Sequence, residues 1–335
     1  MLFKNKTYIV QISKITSQTI TMSRFPLAVM VVFIHSVGDL NAPYAHLRDF
    51  ISHPLLSFVV PAFFIMSGYL FFLNVEDKPI SVWYKDKIRK RTKTLLLPYI
   101  CWNLITLMLD FLKYVRHSAC WIKYDNTSVL SIVYKTFLDY QPIDLPLWYI
   151  RDLILLVIVS PILYKLLRRF ACLSIIAIAI WYFIGIKVLI NPVSMLFFSL
   201  GGLLAIKNED LLMLNKKWKI TLAIFVVCIF SVFMFFDSSV YVARIYAVFM
   251  PFVFFHIINY FSSNISVKKM GVALSKYSEI IYYSHYPITL IVAISFVSKI
   301  LPNYTLVNYF AIPLLAIMLS MTMKILYDKI KTTIS

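Results

Sequence analysis

Ten apolar stretches, each about as long as a membrane-spanning helix, constrain the fold of this chain more than any other feature. A helix needs roughly 20 mainly apolar residues to cross the hydrocarbon core of a bilayer. The ten stretches are 22–40, 54–73, 95–112, 148–164, 170–186, 188–206, 219–236, 240–261, 278–299 and 305–325. We therefore predict an all-α polytopic integral membrane protein, with residues 1–335 forming one transmembrane domain and no appended soluble domain.

Composition and charge agree with this prediction. Apolar residues make up 61% of the chain and charged residues 14%, whereas soluble proteins carry roughly 25% charged residues, so an ordinary soluble enzyme and a disordered chain are excluded. If the N-terminus is cytoplasmic, 24 lysines and arginines fall in cytoplasmic segments and seven in outer segments. Short cytoplasmic loops collect Lys and Arg, so both termini are predicted to be cytoplasmic. The net charge of +18 then reflects topology, and no nucleic-acid partner is expected.

Neither a metal nor a glycine-cradled nucleotide is indicated. The six glycines form no GxGxxG or P-loop pattern. The four cysteines show no CxxC and no histidine pairing at metal spacing. We expect no bound metal and no disulfide framework.

Two ionisable residues in the first apolar stretch give the sharpest indication of chemistry. Arg24 and His35 are separated by eleven helical residues, or about 1100°, so they lie within about 20° of each other on one helix face and roughly 16 Å apart along it. Arg binds phosphate with a fork of donors, and neutral His removes a proton from a hydroxyl. This pair suits a long ligand such as acyl-coenzyme A, and Asp39, one turn further on, would orient the imidazole. The alternatives are an arginine that snorkels to the interface and a histidine hydrogen-bonded in the core.

Arg24 and His35 also reproduce the Arg-x10-His signature of the acyltransferase-3 family, which this chain resembles over nearly its whole length. Four further stretches resemble that family's pattern in the same order: Val60–Leu70, the basic run ending at Leu97-Pro98-Tyr99, Leu147–Leu153 and Tyr283–Pro287. The resemblance implies transfer of an acyl group, usually acetyl from acetyl-CoA, to a bacterial cell-surface glycan. It implies His35 as the essential catalytic residue and Arg24 as a contact to the donor.

The basic run after the second stretch departs from the family pattern of two arginines three residues apart. Arg89, Lys90, Arg91 and Lys93 supply positive charge without that spacing. They are predicted to bind the phosphates of coenzyme A, and the alternative is that they only mark the cytoplasmic side.

Other candidates are hydroxyl, aromatic and charged residues near the same motifs. Ser67 and Tyr69 offer two hydroxyls near the site, where Gly68 would allow close helix packing. Trp148, Tyr149 and Arg151 are predicted to bind an acceptor sugar, with a structural anchor as the alternative. His285 is predicted as a second polar group in the substrate cavity, again with a structural role as the alternative.

The sequence thus predicts a membrane O-acyltransferase with acyl-CoA as donor co-substrate and a surface polysaccharide or lipid-linked glycan as acceptor. The resemblance places it as a multi-pass protein in the bacterial inner membrane, surrounded by lipid, and an oligomer is compatible with the sequence. The alternative is a polytopic transporter or exporter of a glycan, which would also carry charged residues within its spans.

Overall fold

The computed structural model describes residues 13–36, 45–212, 217–235, 240–301 and 306–334, and within these ranges the regular structure is helical without β-strands. The α-helices in chain order are α1 (Lys14–His35), α2 (Ala45–Phe50), α3 (Val59–Phe72), α4 (Ile80–Arg91), α5 (Leu97–Val115), α6 (Val129–Val133), α7 (Trp148–Arg169), α8 (Ala171–Ile184), α9 (Pro192–Ile206), α10 (Trp218–Phe235), α11 (Val240–Ser262), α12 (Ile265–Ser275), α13 (Ser278–Ser284), α14 (Leu290–Ile300) and α15 (Leu306–Ile334). Single π-helical turns cover Ile51–Leu55, Thr92–Leu96, Tyr134–Leu138 and His285–Thr289. The predicted all-α polytopic fold is confirmed.

Six helical segments within the described ranges are long and apolar enough to cross a membrane. They are Lys14–His35, Ala45–Asp77, Ile80–Val115, Val240–Ser262, Ser278–Ile300 and Leu306–Thr333. The other four predicted spans coincide with α7, which carries five charged residues, and with the shorter helices α8, α9 and α10. Each predicted span therefore has a helix, while a total of ten crossings and cytoplasmic termini stay predictions.

Helix α1 begins earlier than the sequence predicts and lies at the centre of the bundle. The Ser13 hydroxyl caps its N-terminus by accepting a hydrogen bond from the Thr16 backbone N–H at 3.0 Å. Leu27, Ala28 and Val32 are fully buried, against neighbours that include α3, α11, α13 and α15. Because α1 starts at Lys14 rather than near residue 22, Arg24 lies midway along the helix, and His35 is its last residue.

The tightest helix crossing joins α3 to α9 through glycines. A Cβ added to Gly68 would overlap the carbonyl oxygen of Phe198, and one added to Gly201 would overlap that of Ile65. Small residues let helix backbones approach closely inside a membrane. The close packing predicted for Gly68 is therefore confirmed, and it fixes the position of α3, which also carries Ser67.

The ninth predicted span is not one continuous α-helix. The α13 helix passes into the π-helical turn His285–Thr289 before α14 begins. Pro287 has no backbone N–H and its ring would clash with the carbonyl four residues earlier, so the chain widens locally instead of continuing the α-helical pattern. Such turns are frequent at functional sites, and this one places His285 opposite the end of α1.

Candidate active site

His35 lies in a cavity of about 400 Å³ at the end of α1. Its other walls come from the last turns of α5, the segment that follows α5, and the turn around Tyr286. Thr106, Lys113 and Trp121 contribute polar or aromatic groups, and leucine and isoleucine side chains complete the lining. The cavity therefore combines an apolar interior with a few polar groups near His35, as ligand sites commonly do.

A second histidine lies beside the first. The rings of His35 and His285 have their centroids 5.3 Å apart, and His285 is fully buried. Its Nδ1 lies 2.7 Å from the carbonyl oxygen of Tyr282 and 3.1 Å from that of Ile281. Carbonyl oxygens only accept hydrogen bonds, so Nδ1 carries the proton of the neutral ring and Nε2 carries a lone pair. Among the residues that the structure describes, this buried Nε2 has no hydrogen-bond partner.

Asp110 holds in place the part of the histidine cavity wall that comes from the segment after α5. Its buried carboxylate accepts hydrogen bonds from the backbone N–H of Trp121 at 2.7 Å and of Ile122 at 3.1 Å, and from the Tyr124 hydroxyl at 3.2 Å. The Trp121 backbone is thereby fixed, while 60% of the residue is exposed. An exposed indole on a fixed backbone thus forms part of the cavity lining.

Arg24 lies in a different cavity, of about 240 Å³, together with Arg91. Of the four basic residues predicted to bind phosphates, Arg91 lines this cavity, whereas the side chains of Arg89, Lys90 and Lys93 are exposed on α4 and in the turn after it. The spacing in the sequence did not distinguish them, because only the direction in which α4 packs decides which one faces inward.

The two candidate hydroxyls of α3 point in different directions. The Ser67 hydroxyl lies 3.0 Å from that of Tyr149, and both residues line the arginine cavity. Tyr69 instead faces Asp210 and Leu211. The structure therefore brings Arg24, Arg91, Ser67 and Tyr149 together and separates Tyr69 from them.

Aromatic rings separate the two cavities, whose lining residues do not overlap. The Tyr282 ring centroid lies 5.8 Å from that of Tyr149, 6.5 Å from that of Phe63 and 6.1 Å from that of His285. Its hydroxyl donates a hydrogen bond to the Pro146 carbonyl oxygen at 2.5 Å. We call Phe63, Tyr149 and Tyr282 the aromatic wall. The sequence analysis did not single out Tyr282, although it directly precedes the motif Tyr283–Pro287.

Arg151 is held by the protein itself. Its guanidinium donates to the Asp152 carboxylate at 2.8 Å and to the carbonyl oxygens of Leu189 and Leu138 at 3.0 and 3.3 Å. Asp152 also accepts hydrogen bonds from the Ser194 hydroxyl at 2.5 Å and the Asn191 backbone N–H at 2.9 Å. These contacts anchor the start of α7 to the start of α9. They match the anchoring alternative, and sugar binding by Arg151 stays a prediction.

Three further residues complete the comparison with the sequence. Trp148 is half-buried and packs on Phe64, with ring centroids 6.1 Å apart, and its predicted contact with sugar is not tested by this packing. Asp39, predicted to orient His35, lies outside the described residues. Asp144, which the sequence analysis missed, is a buried carboxyl in the segment between α5 and α7, and burial raises its pKa to about 8.

These features define a polytopic membrane protein in which one central helix carries an arginine and a histidine into two internal cavities. The chain belongs to the acyltransferase-3 family, since residues 20–326 match the family model described as an acyltransferase domain. It is also similar to the succinoglycan biosynthesis protein ExoH of Rhizobium meliloti (strain 1021), with 25% identity over 140 residues. That alignment covers 39% of this chain and 36% of the relative. No solved structure matches the chain.

Proposed function

We propose that this protein is an O-acyltransferase of the bacterial inner membrane that moves an acetyl group from acetyl-CoA to a hydroxyl of a cell-surface or lipid-linked glycan. The observation that carries the proposal is the pair of cavities along α1, with two arginines in one and His35 in the other. About 16 Å of helix separates Arg24 from His35. A donor with phosphates at one end and a thioester at the other end of a thin arm suits that spacing.

The arginine cavity would bind the phosphate end of the donor. Arg24 and Arg91 come from different helices and line one cavity, so their guanidinium groups can hold several phosphate oxygens at once. The paired hydroxyls of Ser67 and Tyr149 lie in the same cavity and can donate further hydrogen bonds. The pantetheine arm would then extend past the aromatic wall towards His35.

His35 would act as the general base. It takes the proton from the acceptor hydroxyl while the hydroxyl oxygen attacks the thioester carbonyl carbon. The carbon–oxygen bond of the ester forms, the carbon–sulfur bond breaks, and the proton passes from His35 to the sulfur of the departing coenzyme A. Hydroxyl, thioester and base account for all the atoms of this step.

The histidine cavity would admit the glycan from the side of the segment after α5. Trp121 has an exposed indole and a backbone fixed by Asp110, so a sugar ring could stack on its aromatic face. The printed name of the relative, a succinoglycan biosynthesis protein, supports a glycan as the class of acceptor.

The test is transfer of radiolabelled acetyl from acetyl-CoA to extracted glycan by purified protein, normalised to the monodisperse fraction. We expect His35→Ala to lower transfer by about 10²- to 10⁴-fold, with acetyl-CoA binding retained. A His46→Ala variant, which removes an exposed histidine of α2, is the matched control and should keep its activity. Near-normal turnover by His35→Ala would exclude the proposed mechanism. Loss of glycan export with unchanged acylation in a deletion strain would favour an exporter.

A further inference from the structure

The unpartnered nitrogen of His285 is the least expected polar atom of the site. A buried acceptor without a hydrogen bond costs free energy, and among the described residues the Nε2 of His285 is such an atom. The π-helical turn His285–Thr289 and the two bonds of Nδ1 to backbone carbonyls hold the ring in place. The lone pair of Nε2 is therefore fixed in direction rather than free to turn towards another donor.

The adjacent ring is that of His35. The two imidazoles are direct neighbours, with 5.3 Å between their ring centroids and 39° between their ring planes. Tyr282 and Tyr286 pack against this pair of histidines and limit how far either ring can move. Hydrogen bonds of catalytic groups often shorten only when substrate is bound. A small rotation of the His35 ring is the movement needed to bring one of its nitrogens to Nε2 of His285.

We propose that His285 is a positioning residue whose Nε2 accepts a hydrogen bond from one ring nitrogen of His35, a role that rests on the proposed function of His35 as general base. Because a neutral imidazole carries one proton, this bond fixes the tautomer of His35. The proton lies on the nitrogen that faces His285, and the other nitrogen presents its lone pair to the cavity.

The arrangement also stabilises the charge that forms during transfer. When His35 takes the proton of the acceptor hydroxyl it becomes an imidazolium with two donor N–H groups. One of them donates to His285, and the other delivers the new proton to the sulfur of coenzyme A. A hydrogen bond to the charged form is stronger than one between neutral groups, so His285 would stabilise the transition state more than the ground state.

Two amide substitutions separate this role from simple packing. In His285→Asn the amide nitrogen takes the place of Nδ1 and preserves donation to the carbonyl oxygens of Ile281 and Tyr282. In His285→Gln the amide oxygen takes the place of Nε2 and preserves an acceptor towards His35. We expect His285→Asn to lower kcat by about 10- to 100-fold with the KM for acetyl-CoA unchanged, and His285→Gln to recover most of that loss. Equal activity of the two variants, or the reverse order, would overturn the proposal.

A second measurement does not depend on acyl transfer. Nitrogen-15 spectra of the full-length protein labelled at histidine report the tautomer of each ring, and the His35 signal is assigned by its loss in His35→Ala. We expect a single His35 tautomer in the wild type and in His46→Asn, and a mixture in His285→Asn. An unchanged His35 tautomer in His285→Asn would overturn the role of His285, whereas full activity of His35→Ala would overturn the proposed function instead.

Discussion

At the scale of single residues, the direction of each side chain distinguishes basic residues of the run that the sequence analysis could not tell apart. Lys87 and Arg91 are one turn apart on the inner side of α4, and Lys87 donates a hydrogen bond to the Leu70 carbonyl oxygen at 3.2 Å. Arg91 lines the cavity that holds Arg24, while Lys90 and Lys93 are exposed. Only the inward-facing arginine is in a position to contact a donor in that cavity.

Replacing Arg91 should therefore weaken donor binding, whereas replacing Lys93 should not. Arg91→Gln removes a charged donor worth about 1.5–3 kcal/mol, so we expect the Kd for acetyl-CoA to rise by about 10- to 100-fold. Isothermal titration on detergent-purified protein measures this Kd, and the effect should shrink at high salt. Equal Kd values for Arg91→Gln and Lys93→Gln would mean that the basic run serves only as a topology signal.

The buried carboxyl of Asp144 makes stability depend on pH. Its pKa is about 8 in the folded protein because burial disfavours the charged form, and its ordinary value of 3.8 applies when the chain is unfolded. The folded state thus binds more protons between these values, and stability falls as pH rises towards 8, by up to about 1.4 kcal/mol per pH unit. The Thr106 hydroxyl donates to this carboxyl at 3.3 Å, a bond that a neutral amide at the position can still accept.

Asp144→Asn should remove that pH dependence. We expect the Tm of the wild type in detergent to fall between pH 6 and pH 8, and the Tm of Asp144→Asn to fall less over the same range. Asp125→Asn is the control, because Asp125 is exposed. A parallel decline of Tm in wild type and Asp144→Asn would show that Asp144 does not titrate in this range.

The sequence predicted part of this site for a physical reason. Arg24 and His35 are on one helix, and helical periodicity alone decides that they share a face. Asp144 and Tyr282 were not predicted as site residues because their positions depend on packing between segments far apart in the chain. Tyr282, for example, bonds to Pro146, which lies 136 residues away.

At the scale of elements, the crossing of α3 and α9 depends on glycine. Gly68→Ala places a Cβ against the backbone carbonyl of Phe198, which cannot move aside as a side chain can. We expect a loss of about 1–3 kcal/mol in the free energy of unfolding, measured as a lower Tm in detergent. Ser67 should also move away from Tyr149.

Gly271→Ala provides the control for that substitution. Gly271 lies in α12, and an added Cβ there would meet only the flexible Met22 side chain among its nearest neighbours in the described part of the chain. Because Ala favours a helix interior over Gly by roughly 0.5–1 kcal/mol, Gly271→Ala should leave Tm unchanged or raise it. A similar loss of Tm in both variants would argue against a special close approach at Gly68.

Element boundaries illustrate what hydropathy can and cannot predict. The apolar stretch 278–299 correctly indicated a helical span, yet a window of hydropathy averages over its residues and does not detect the π-helical turn at His285–Thr289. Pro287 was a visible sign of an irregularity. The direction in which the widened turn sends the His285 side chain depends on contacts with α1 and α15, which no local pattern contains.

At the scale of the whole molecule, the predicted orientation in the membrane rests on the charge distribution. The proposed cytoplasmic segments hold 24 lysines and arginines, and the outer segments hold seven. Lys90 and Lys123 are both exposed in the structure, so accessibility of the side chain does not distinguish them and only the side of the membrane does. Cys101 and Cys172 are exposed as well and Cys120 is partly exposed, so the labelling background would replace all three with Ser.

In that background, Lys123→Cys should react with a membrane-impermeant thiol reagent in intact cells, and Lys90→Cys should react only after the membrane is permeabilised. Mass-shift labelling on gels measures both. Reaction of Lys90→Cys in intact cells would place the arginine cavity on the outer side, where acetyl-CoA is not supplied by the cytoplasm.

The aromatic wall also has a consequence for the energy balance of the cell. A continuous file of water between two cavities at different depths of α1 would let protons run down the membrane potential, which drives each charge with about 2.3 kcal/mol per 100 mV. Phe63, Tyr149 and Tyr282 interrupt such a file with packed rings. As long as these rings stay packed, the protein is an electrical insulator between the two cavities.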